Sequence, residues 1–359
     1  MSPNLAGGLH LYPGRPVPTG IVGGRPVGGV ALGSGLAAVS LPDALAAVFN
    51  LCGHAHRLCS QQALQALALP MACADDEVAS GLRRETALEH TRRIGLDWPR
   101  LLAPEAGLHG AAIDALRRCP LNAPGTVSWA ALSGWLSNEC LRMPAAQWLA
   151  RWQRAGVSWL KGWSAGREGW LASLLHEAQP ADVDLPWQGA QALHAGNVDA
   201  QRLDAAMAAA RDGDCTAWAG RPVHTGHWCR ASAQAPAPTS AWGLLGSRLA
   251  ELAQLATLEP TQPLPLAWGA QRTGERSAIA WVEMARGLLV HRVVLDATGT
   301  RVAQCQVLAP TDWNWHPEGV AAQALAALRG SLQGVQARLL VAAFDPCLAV
   351  EIAREDGHA

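Results

Sequence analysis

Residues 283–314 read EMARGLLVHRVVLDATGTRVAQCQVLAPTDWN, and the first indication of the fold class comes from this stretch. Apolar and polar residues alternate along it with the period of a β-strand, and glycine-containing pairs interrupt the alternation. The pattern predicts strands over 278–285, 288–296 and 301–308, with turns at 286–287 and 298–299. We therefore expect a small antiparallel β-meander over 278–308.

The rest of the chain carries mostly helical patterns, so the whole is predicted to be α+β and mainly helical. One long helix is expected from Ser40 to about Leu69, because apolar residues recur at helical spacing up to Pro70. Helical patterns also cover later segments, which lie at 75–96, within 108–211, at about 240–258 and at 319–329.

The two ends of the chain carry different patterns. Residues 1–36 are rich in glycine and proline, which predicts short strands joined by tight turns. Near the other end, a short strand is predicted over 338–343, and a final helix is expected to begin at Asp345 and Pro346. The chain 1–359 is predicted to form a single domain, in which 71–215 is a divergent helical region.

The composition excludes several classes of function. The chain has 359 residues, of which 50% are hydrophobic and 16% charged, and its formal net charge is −1. This balance gives no electrostatic basis for binding nucleic acid or an anionic membrane. No apolar stretch is long enough to span a bilayer and no secretion signal is recognisable, so a cytoplasmic protein is expected. Nine singly scattered cysteines predict reduced thiols rather than a disulfide framework.

Two cysteines lie in short segments at opposite ends of the chain. Cys52 belongs to NLCGHAHRLC (50–59), and Cys347 belongs to FDPCLAV (344–350). Thiolates are soft, charged donors that suit nickel and low-spin iron. If both cysteines bind one metal unit, the fold must bring the two ends of the chain together.

These segments resemble the [NiFe]-hydrogenase large subunit, in which two Cys-x-x-Cys pairs hold nickel and iron. The segment around Arg286 and the sequence PTDWN (310–314) agree with that family in order and spacing, although Ala285 replaces a family proline. Residues 221–230 keep only one glycine and one arginine of the corresponding family segment. The resemblance implies a large-subunit-like fold that brings the N- and C-terminal cysteine motifs together.

Both family pairs keep only their first cysteine here. Ala55 and Val350 stand at the positions of the second cysteines, which bridge the two metals in the family. Without bridging thiolates, the chain is expected to be a non-catalytic assembly factor rather than a hydrogenase. Shortened relatives of this kind occur among the HupK/HoxV-type hydrogenase expression/formation proteins, and the chain resembles them.

The resemblance implies a scaffold that transiently holds or delivers an Fe(CN)₂CO unit during active-site assembly, with no nickel. Cys52 and Cys347 would supply the thiolate ligands, and Arg286 would donate to the cyanides because guanidinium is a rigid cationic donor. Other residues implied around the unit are Glu283, His56, Cys59, Asp345 and Pro346. The implied partners are a small HypC-type maturation chaperone and the immature hydrogenase large subunit.

The residues also allow other interpretations. Cys52 and Cys347 could be buried core cysteines, and Cys52 with His56 or Cys59 could bind zinc. The alternative functions are a metal-free protein-binding chaperone of hydrogenase maturation and a divergent hydrogenase-like enzyme.

Two further patterns concern the helices. Tryptophans at 148, 152, 159, 163 and 170 predict core packing, with a partner-docking groove as the alternative. Arginine pairs at 83–84 and 92–93 predict a solvated helix face that pairs with Glu85 and Glu89.

Overall fold

A computed structural model of the chain describes residues 7–24, 33–71, 74–123, 125–188, 190–209, 217–218, 221–231 and 238–353. Its α-helices, in chain order, are α1 (Leu41–Val48), α2 (Gly53–Ala66), α3 (Asp75–Arg92), α4 (Trp98–Leu102), α5 (His109–Arg117), α6 (Trp129–Trp135), α7 (Ala145–Ala155), α8 (Val157–Ala165), α9 (Trp170–Ala178), α10 (Ala200–Ala209), α11 (His227–Ala231), α12 (Ala241–Thr257), α13 (Pro310–Asn314), α14 (Val320–Ala327) and α15 (Gln333–Phe344). The π-helical turns Arg93–Asp97 and Leu136–Leu141 follow α3 and α6 directly.

The strands form three small sheets. They are β1 (Gly8–Leu11), β2 (Ile21–Gly24), β3 (Gln191–Ala192), β4 (Ala217–Trp218), β5 (Arg221–His224), β6 (Trp268–Arg272), β7 (Ser277–Met284), β8 (Gly287–Leu295), β9 (Val302–Leu308) and β10 (Ala349–Ile352). The sheet orders are β10-β1-β2, β3-β5-β4 and β6-β7-β8-β9. The prediction of an α+β, mainly helical fold is confirmed.

The predicted meander is the antiparallel sheet β7-β8-β9, to which β6 adds a fourth strand that the sequence pattern did not predict. Both faces of this sheet are buried. Ala280 and Val282 of β7 belong to the main core beneath α2, whereas Ile279 packs with Leu203 and Trp313 in a second apolar cluster. The sheet therefore lies between the main core and the second apolar cluster, and α2 packs on the face that belongs to the main core.

The segment expected to be one helix from Ser40 to Leu69 contains two helices, so that prediction was wrong. The chain leaves helical geometry at Phe49 (φ −102°, ψ 53°) and makes a 3₁₀ turn over Asn50–Cys52 before α2 begins. A Cβ on Gly53 would lie 2.9 Å from the carbonyl oxygen of Ala46, so this glycine permits the close approach of α1 to α2. The break places Cys52 at the N-terminal end of α2.

The C-terminal prediction was also wrong, since 338–343 is helical and a strand follows it. All residues from Leu339 to Phe344 are buried, so the end of α15 is apolar on every side and gives no helical periodicity. Asp345 then adopts left-handed geometry (φ 44°) and ends the helix. β10 follows and pairs in parallel with β1, with Val350 opposite Leu9, which joins the two ends of the chain.

Two other predictions can be compared with the described residues. Trp148 is fully buried, stacks on Trp152 at 6.0 Å between ring centroids and meets Trp163 edge-on, which confirms core packing. The expected strands in 1–36 include β1 and β2, while 1–6 and 25–32 lie outside the described residues. None of the helices described is long and apolar enough to cross a membrane.

Candidate functional site

Cys52 is the N-terminal capping residue of α2. Its backbone N–H donates to the carbonyl oxygen of Phe49 at 3.0 Å, and the residue is 9% exposed. Cys52 provides no side-chain cap to the helix, so the first N–H groups of α2 find their acceptors elsewhere. The break between α1 and α2 therefore presents this thiol at a helix start.

Cys347 follows the left-handed turn at Asp345 and is half-buried. Its backbone N–H donates to Thr311 Oγ1 at 3.0 Å, and the same hydroxyl lies 3.1 Å from Cys347 Sγ. A hydroxyl that accepts the N–H can still donate its own proton to the sulfur or accept one from it, so this contact fixes the position of Sγ. Within the part of the chain that the structure describes, neither Cys347 nor Cys52 is joined to another cysteine.

Arg286 connects these two cysteine segments. It lies at the tip of the β7–β8 hairpin, yet its side chain is almost fully buried, where Nη2 donates to Glu89 at 2.9 Å and Nε lies 3.2 Å from Asp345. Burial lowers the pKa of Arg286, but the charges of Asp345, Glu89, Cys347 and Cys52 outweigh this and raise it. Both thiols are thus close enough to act electrostatically on one guanidinium group.

One edge of that guanidinium is uncommitted. Arg286 Nη1 is buried and has no hydrogen-bond partner among the described residues. Buried cationic donors rarely lack an acceptor, because the cost of removing them from water is not then compensated. The atom is therefore a candidate contact for an acceptor supplied by a bound group.

Asp345 is the centre of a buried ion cluster. Its carboxylate lies 2.9 Å from Arg248 Nη1, 2.9 Å from Arg93 Nε and 3.2 Å from Arg286 Nε. Burial alone would raise the pKa of Asp345, but the guanidinium groups of Arg286, Arg248 and Arg93 together hold it below its ordinary value. The residue that precedes Pro346 and Cys347 is therefore fixed from three sides.

A second part of the cluster adjoins the first through Arg248. Its Nη1 also lies 3.2 Å from His90 Nδ1, and His90 Nε2 lies 2.6 Å from Glu251. Glu251 accepts two further hydrogen bonds from Arg230, both at 2.8 Å. Burial opposes ionisation of Glu251, yet Arg230 and His90 lower its pKa far below the ordinary value. These contacts tie α3, α11 and α12 to the site.

The prediction of a solvated face on α3 is only partly confirmed. Arg84 is exposed and Arg92 pairs with Glu89 at 3.5 Å, but Glu85 and Glu89 also bind groups inside the protein. Glu85 accepts the backbone N–H groups of His54 at 2.7 Å and Ala55 at 3.0 Å, and Glu89 binds Arg286. Arg83 donates to the carbonyl oxygen of Leu255. The four-residue interval between Glu85 and Glu89 places both carboxylates on one side of the helix. This was the only sequence signal for their role, and it fits a solvated face equally well.

The other predicted site residues have defined positions. Glu283 is buried and accepts the backbone N–H groups of Ala195 and Ala267, both at 3.0 Å, so it joins two loops to β7. His56 Nδ1 lies 3.0 Å from His291 Nε2, which links α2 to β8.

Cys59 and Pro346 have different surroundings. Cys59 Sγ donates to the carbonyl oxygen of Ala280 at 3.3 Å, and burial raises its pKa well above the ordinary value. Cys59 therefore stays protonated inside the core, where it is a poor metal ligand. Pro346 lines a cleft of about 230 Å³ behind the Cys347 segment.

The two positions without a bridging cysteine differ in setting. Ala55 is fully buried in the first turn of α2, and Val350 lies in β10, where it lines the same cleft as Pro346. Across the described residues, no group of three His, Cys, Asp or Glu side chains converges as a ready-made metal site. A metal held here would therefore rely on two thiolates and on ligands that it brings with it.

Gly287 fixes the hairpin tip that carries Arg286. Its φ is +133°, and a Cβ there would lie 2.6 Å from Thr225 Cγ2 and 2.9 Å from the backbone nitrogen of Gly226. Gly287→Ala is expected to lower the free energy of unfolding by about 2–4 kcal/mol, through backbone strain and overpacking. Gly299→Ala is the matched control, because its φ is +71° but nothing lies within 4 Å. Urea unfolding of both variants measures the difference, and equal losses would contradict the steric account.

Comparison with known proteins identifies the family to which the chain belongs. The chain is 33% identical to the hydrogenase expression/formation protein HoxV of Cupriavidus necator over 364 residues, which cover 96% of this chain and 94% of that protein. It is 30% identical to the hydrogenase expression/formation protein HupK of Rhizobium leguminosarum bv. viciae, covering 85% of this chain and 84% of that one. The chain belongs to the HoxV/HupK family. No protein-family model matches it.

Solved structures confirm the expected large-subunit-like fold of this HoxV/HupK family member. A [NiFeSe] hydrogenase variant from Desulfovibrio vulgaris Hildenborough aligns with a TM-score of 0.54 at 12% identity, covering 91% of this chain and 92% of that one. The reduced-state enzyme from the same organism aligns with a TM-score of 0.52, also at 12% identity. At this identity the likeness extends to the fold alone.

Proposed function

We propose that this chain is a non-catalytic scaffold of [NiFe]-hydrogenase maturation, which holds an Fe(CN)₂CO unit between Cys52 and Cys347. The observation that carries the proposal is the position of Arg286, whose buried guanidinium is within electrostatic reach of both thiols and has an uncommitted N–H edge. A role in hydrogenase maturation is also supported by the names of the relatives, which are hydrogenase expression/formation proteins.

The chemistry of the cargo fits these residues. Two thiolates suit low-spin iron, and cyanide nitrogens accept hydrogen bonds from cationic donors. Once two thiolates bind the Fe(CN)₂CO unit, the complex carries net negative charge, which the buried guanidinium of Arg286 offsets. Thr311, whose hydroxyl lies 3.1 Å from Cys347 Sγ, would hold that sulfur in position. Ala55 and Val350 offer no thiolate to bridge a second metal, so nickel is not part of the proposed cargo.

Delivery requires partners. We propose a small HypC-type chaperone as the source or recipient of the iron unit, and the immature hydrogenase large subunit as the final destination, all in the cytoplasm. The apolar side chains Val48 and Leu51, which are 54% and 48% exposed, lie just before Cys52 in the chain, and Val39, which is 55% exposed, precedes α1. The same side chains favour the second candidate function, a metal-free chaperone that binds its partner through an apolar surface.

The proposal is tested by anaerobic purification after co-expression with the maturation proteins, followed by infrared spectroscopy and metal analysis. Cyanide and carbonyl stretches with iron and no nickel are expected. Cys52→Ser and Cys347→Ser should each lose the bands and the iron, because serine does not replace a soft thiolate donor. Cys119→Ser is the matched control, since Cys119 is a buried cysteine beside Thr91 and outside the site.

Three other outcomes are informative. Iron-free wild-type protein without these bands would reject the iron cargo, and partner capture that persists in the Cys52→Ser/Cys347→Ser double variant would then favour the metal-free chaperone. Nickel together with iron, and hydrogen uptake that disappears in Cys347→Ser, would instead favour a divergent hydrogenase-like enzyme.

A further inference from the structure

One stripe of α3 and its π-helical extension contacts all three segments that form the candidate site. Gly81, Glu85, Glu89 and Arg93 follow one another at intervals of four residues, which places successive members on neighbouring positions of one helix side. Gly81 and Glu85 contact the start of α2, Glu89 contacts Arg286, and Arg93 contacts Asp345. We call these four residues the α3 stripe.

At the N-terminal end of the stripe, α3 and α2 approach closely. A Cβ on Gly81 would overlap the imidazole of His54, closest to its Cε1 and Nε2 atoms, so a larger residue would displace that ring. His54 Nε2 also lies 3.4 Å from the carbonyl oxygen of Val78, one turn earlier on α3. The close packing fixes the position of the residue that stands two places after Cys52.

Glu85 supplies the cap that Cys52 does not. The first N–H groups of a helix have no acceptor within it, and here the two carboxylate oxygens of Glu85 accept those of His54 and Ala55 separately. A carboxylate at a helix N-terminus is also stabilised by the helix dipole. The start of α2, which carries Cys52, is therefore held by a side chain from α3.

We propose that Glu85 is a positioning residue for Cys52, and that the α3 stripe sets the separation between the Cys52 thiol, Arg286 and the Cys347 segment. This inference rests on the proposed function, in which both thiols bind one iron unit. Glu85 does not touch the cargo in this account. It acts through the backbone of the first turn of α2, as Glu89 acts through Arg286 and Arg93 through Asp345.

The test measures the motion of the Cys52 segment without any cargo. Wild-type and Glu85→Ala proteins are alkylated with a maleimide, and the rates at Cys52 and Cys347 are read separately from peptide masses. Loss of the two backbone hydrogen bonds is expected to speed alkylation at Cys52 by about tenfold, with Cys347 changed by less than about twofold. Glu77→Ala is the matched control, because Glu77 is an exposed glutamate on the same helix.

Glu85→Gln keeps one acceptor oxygen and therefore separates positioning from general destabilisation. It is expected to speed alkylation at Cys52 by about threefold, between the wild-type and alanine values. If Glu85→Ala does not fold, the glutamine variant decides the question by the same ratio of the two rates. An unchanged rate at Cys52, or an equal acceleration at both cysteines, would overturn the proposal.

Loaded protein gives a second measurement. When the proteins carry the iron unit, the cyanide and carbonyl stretches of Glu85→Gln should differ from those of wild type. Those of Glu77→Gln should not, because only Glu85 holds the helical turn next to a ligand cysteine. Alkylation needs no iron, so the positioning role of Glu85 and the iron cargo can be rejected independently of each other. Wild-type protein without the infrared bands would reject the iron cargo, whereas unselective alkylation would reject the role of Glu85.

Discussion

Asp345→Asn is expected to lower the free energy of unfolding by about 3–5 kcal/mol, since it removes one partner from a buried ion cluster. The carboxylate lies within 3.2 Å of Arg248, Arg286 and Arg93, and the side chains of Arg248 and Arg286 are each only 1% exposed. Asparagine has nearly the same shape but no charge, so it leaves these guanidinium groups buried without their common counter-ion.

Urea unfolding at neutral pH measures this loss, and Asp43→Asn serves as the matched control. Asp43 forms its ion pair with Arg57 at the surface, where the two side chains are 80% and 44% exposed, so a loss of about 0.5 kcal/mol is expected there. A loss of similar size in the two variants would show that Asp345 does not hold the cluster together. A stable Asp345→Asn protein with slower loading of iron would assign the carboxylate to the site alone.

Glu85→Gln is expected to change how stability depends on pH. Burial raises the pKa of Glu85 from its ordinary 4.5 to about 7, against the lowering effect of the His54 and Ala55 N–H groups. Glu89 raises the pKa further and Arg286 lowers it. Between pH 4.5 and about pH 7, Glu85 therefore binds a proton in the folded protein that it does not bind in the unfolded chain.

The sign follows from proton linkage. A folded-state pKa above the unfolded value contributes stability that is fully present below about pH 4.5 and is lost as the pH rises through about 7. Glutamine does not titrate. The wild type should therefore lose about 2 kcal/mol of unfolding free energy relative to Glu85→Gln between pH 5 and pH 8.

Urea unfolding of both proteins at several pH values gives the difference directly, because all other titrating groups are shared. Glu77→Gln corrects for the loss of an ordinary exposed glutamate from α3. A constant difference between wild type and Glu85→Gln from pH 5 to pH 8 would show that Glu85 is ionised throughout, and the buried position would then need another source of stabilisation.

The fold class was predictable because its signals are local. The alternation in 278–308 identified β7, β8 and β9, since an antiparallel meander is specified by strand periodicity and by the residues of its turns. The helices at about 240–258 and 319–329 were also predicted from local helical patterns, and they correspond to α12 and α14. Prediction failed at 338–343, where a helix buried on every side shows no periodicity.

The candidate site was predictable only in part. Cys52, Cys347 and Arg286 stand in short segments that carry a family resemblance, and the fold brings their electrostatic environments together. Their roles as ligands and donor stay predictions, as do those of Glu283, His56, Cys59, Asp345 and Pro346. The four-residue spacing of Glu85 and Glu89 did not show that they face the site, because a carboxylate on an amphipathic helix looks the same whether it faces water or a buried arginine.

The sequence by itself determined the mainly helical α+β class, the two single-cysteine motifs and the absence of a second cysteine at Ala55 and Val350. Only the tertiary structure decided which charges are buried, where Cys52 lies relative to its helix and which charges act on the guanidinium of Arg286. The physical reason is distance along the chain. Periodicity and capping act over a few residues, whereas the contacts of Arg286 with Glu89 and of Asp345 with Arg248 join segments that the sequence separates widely.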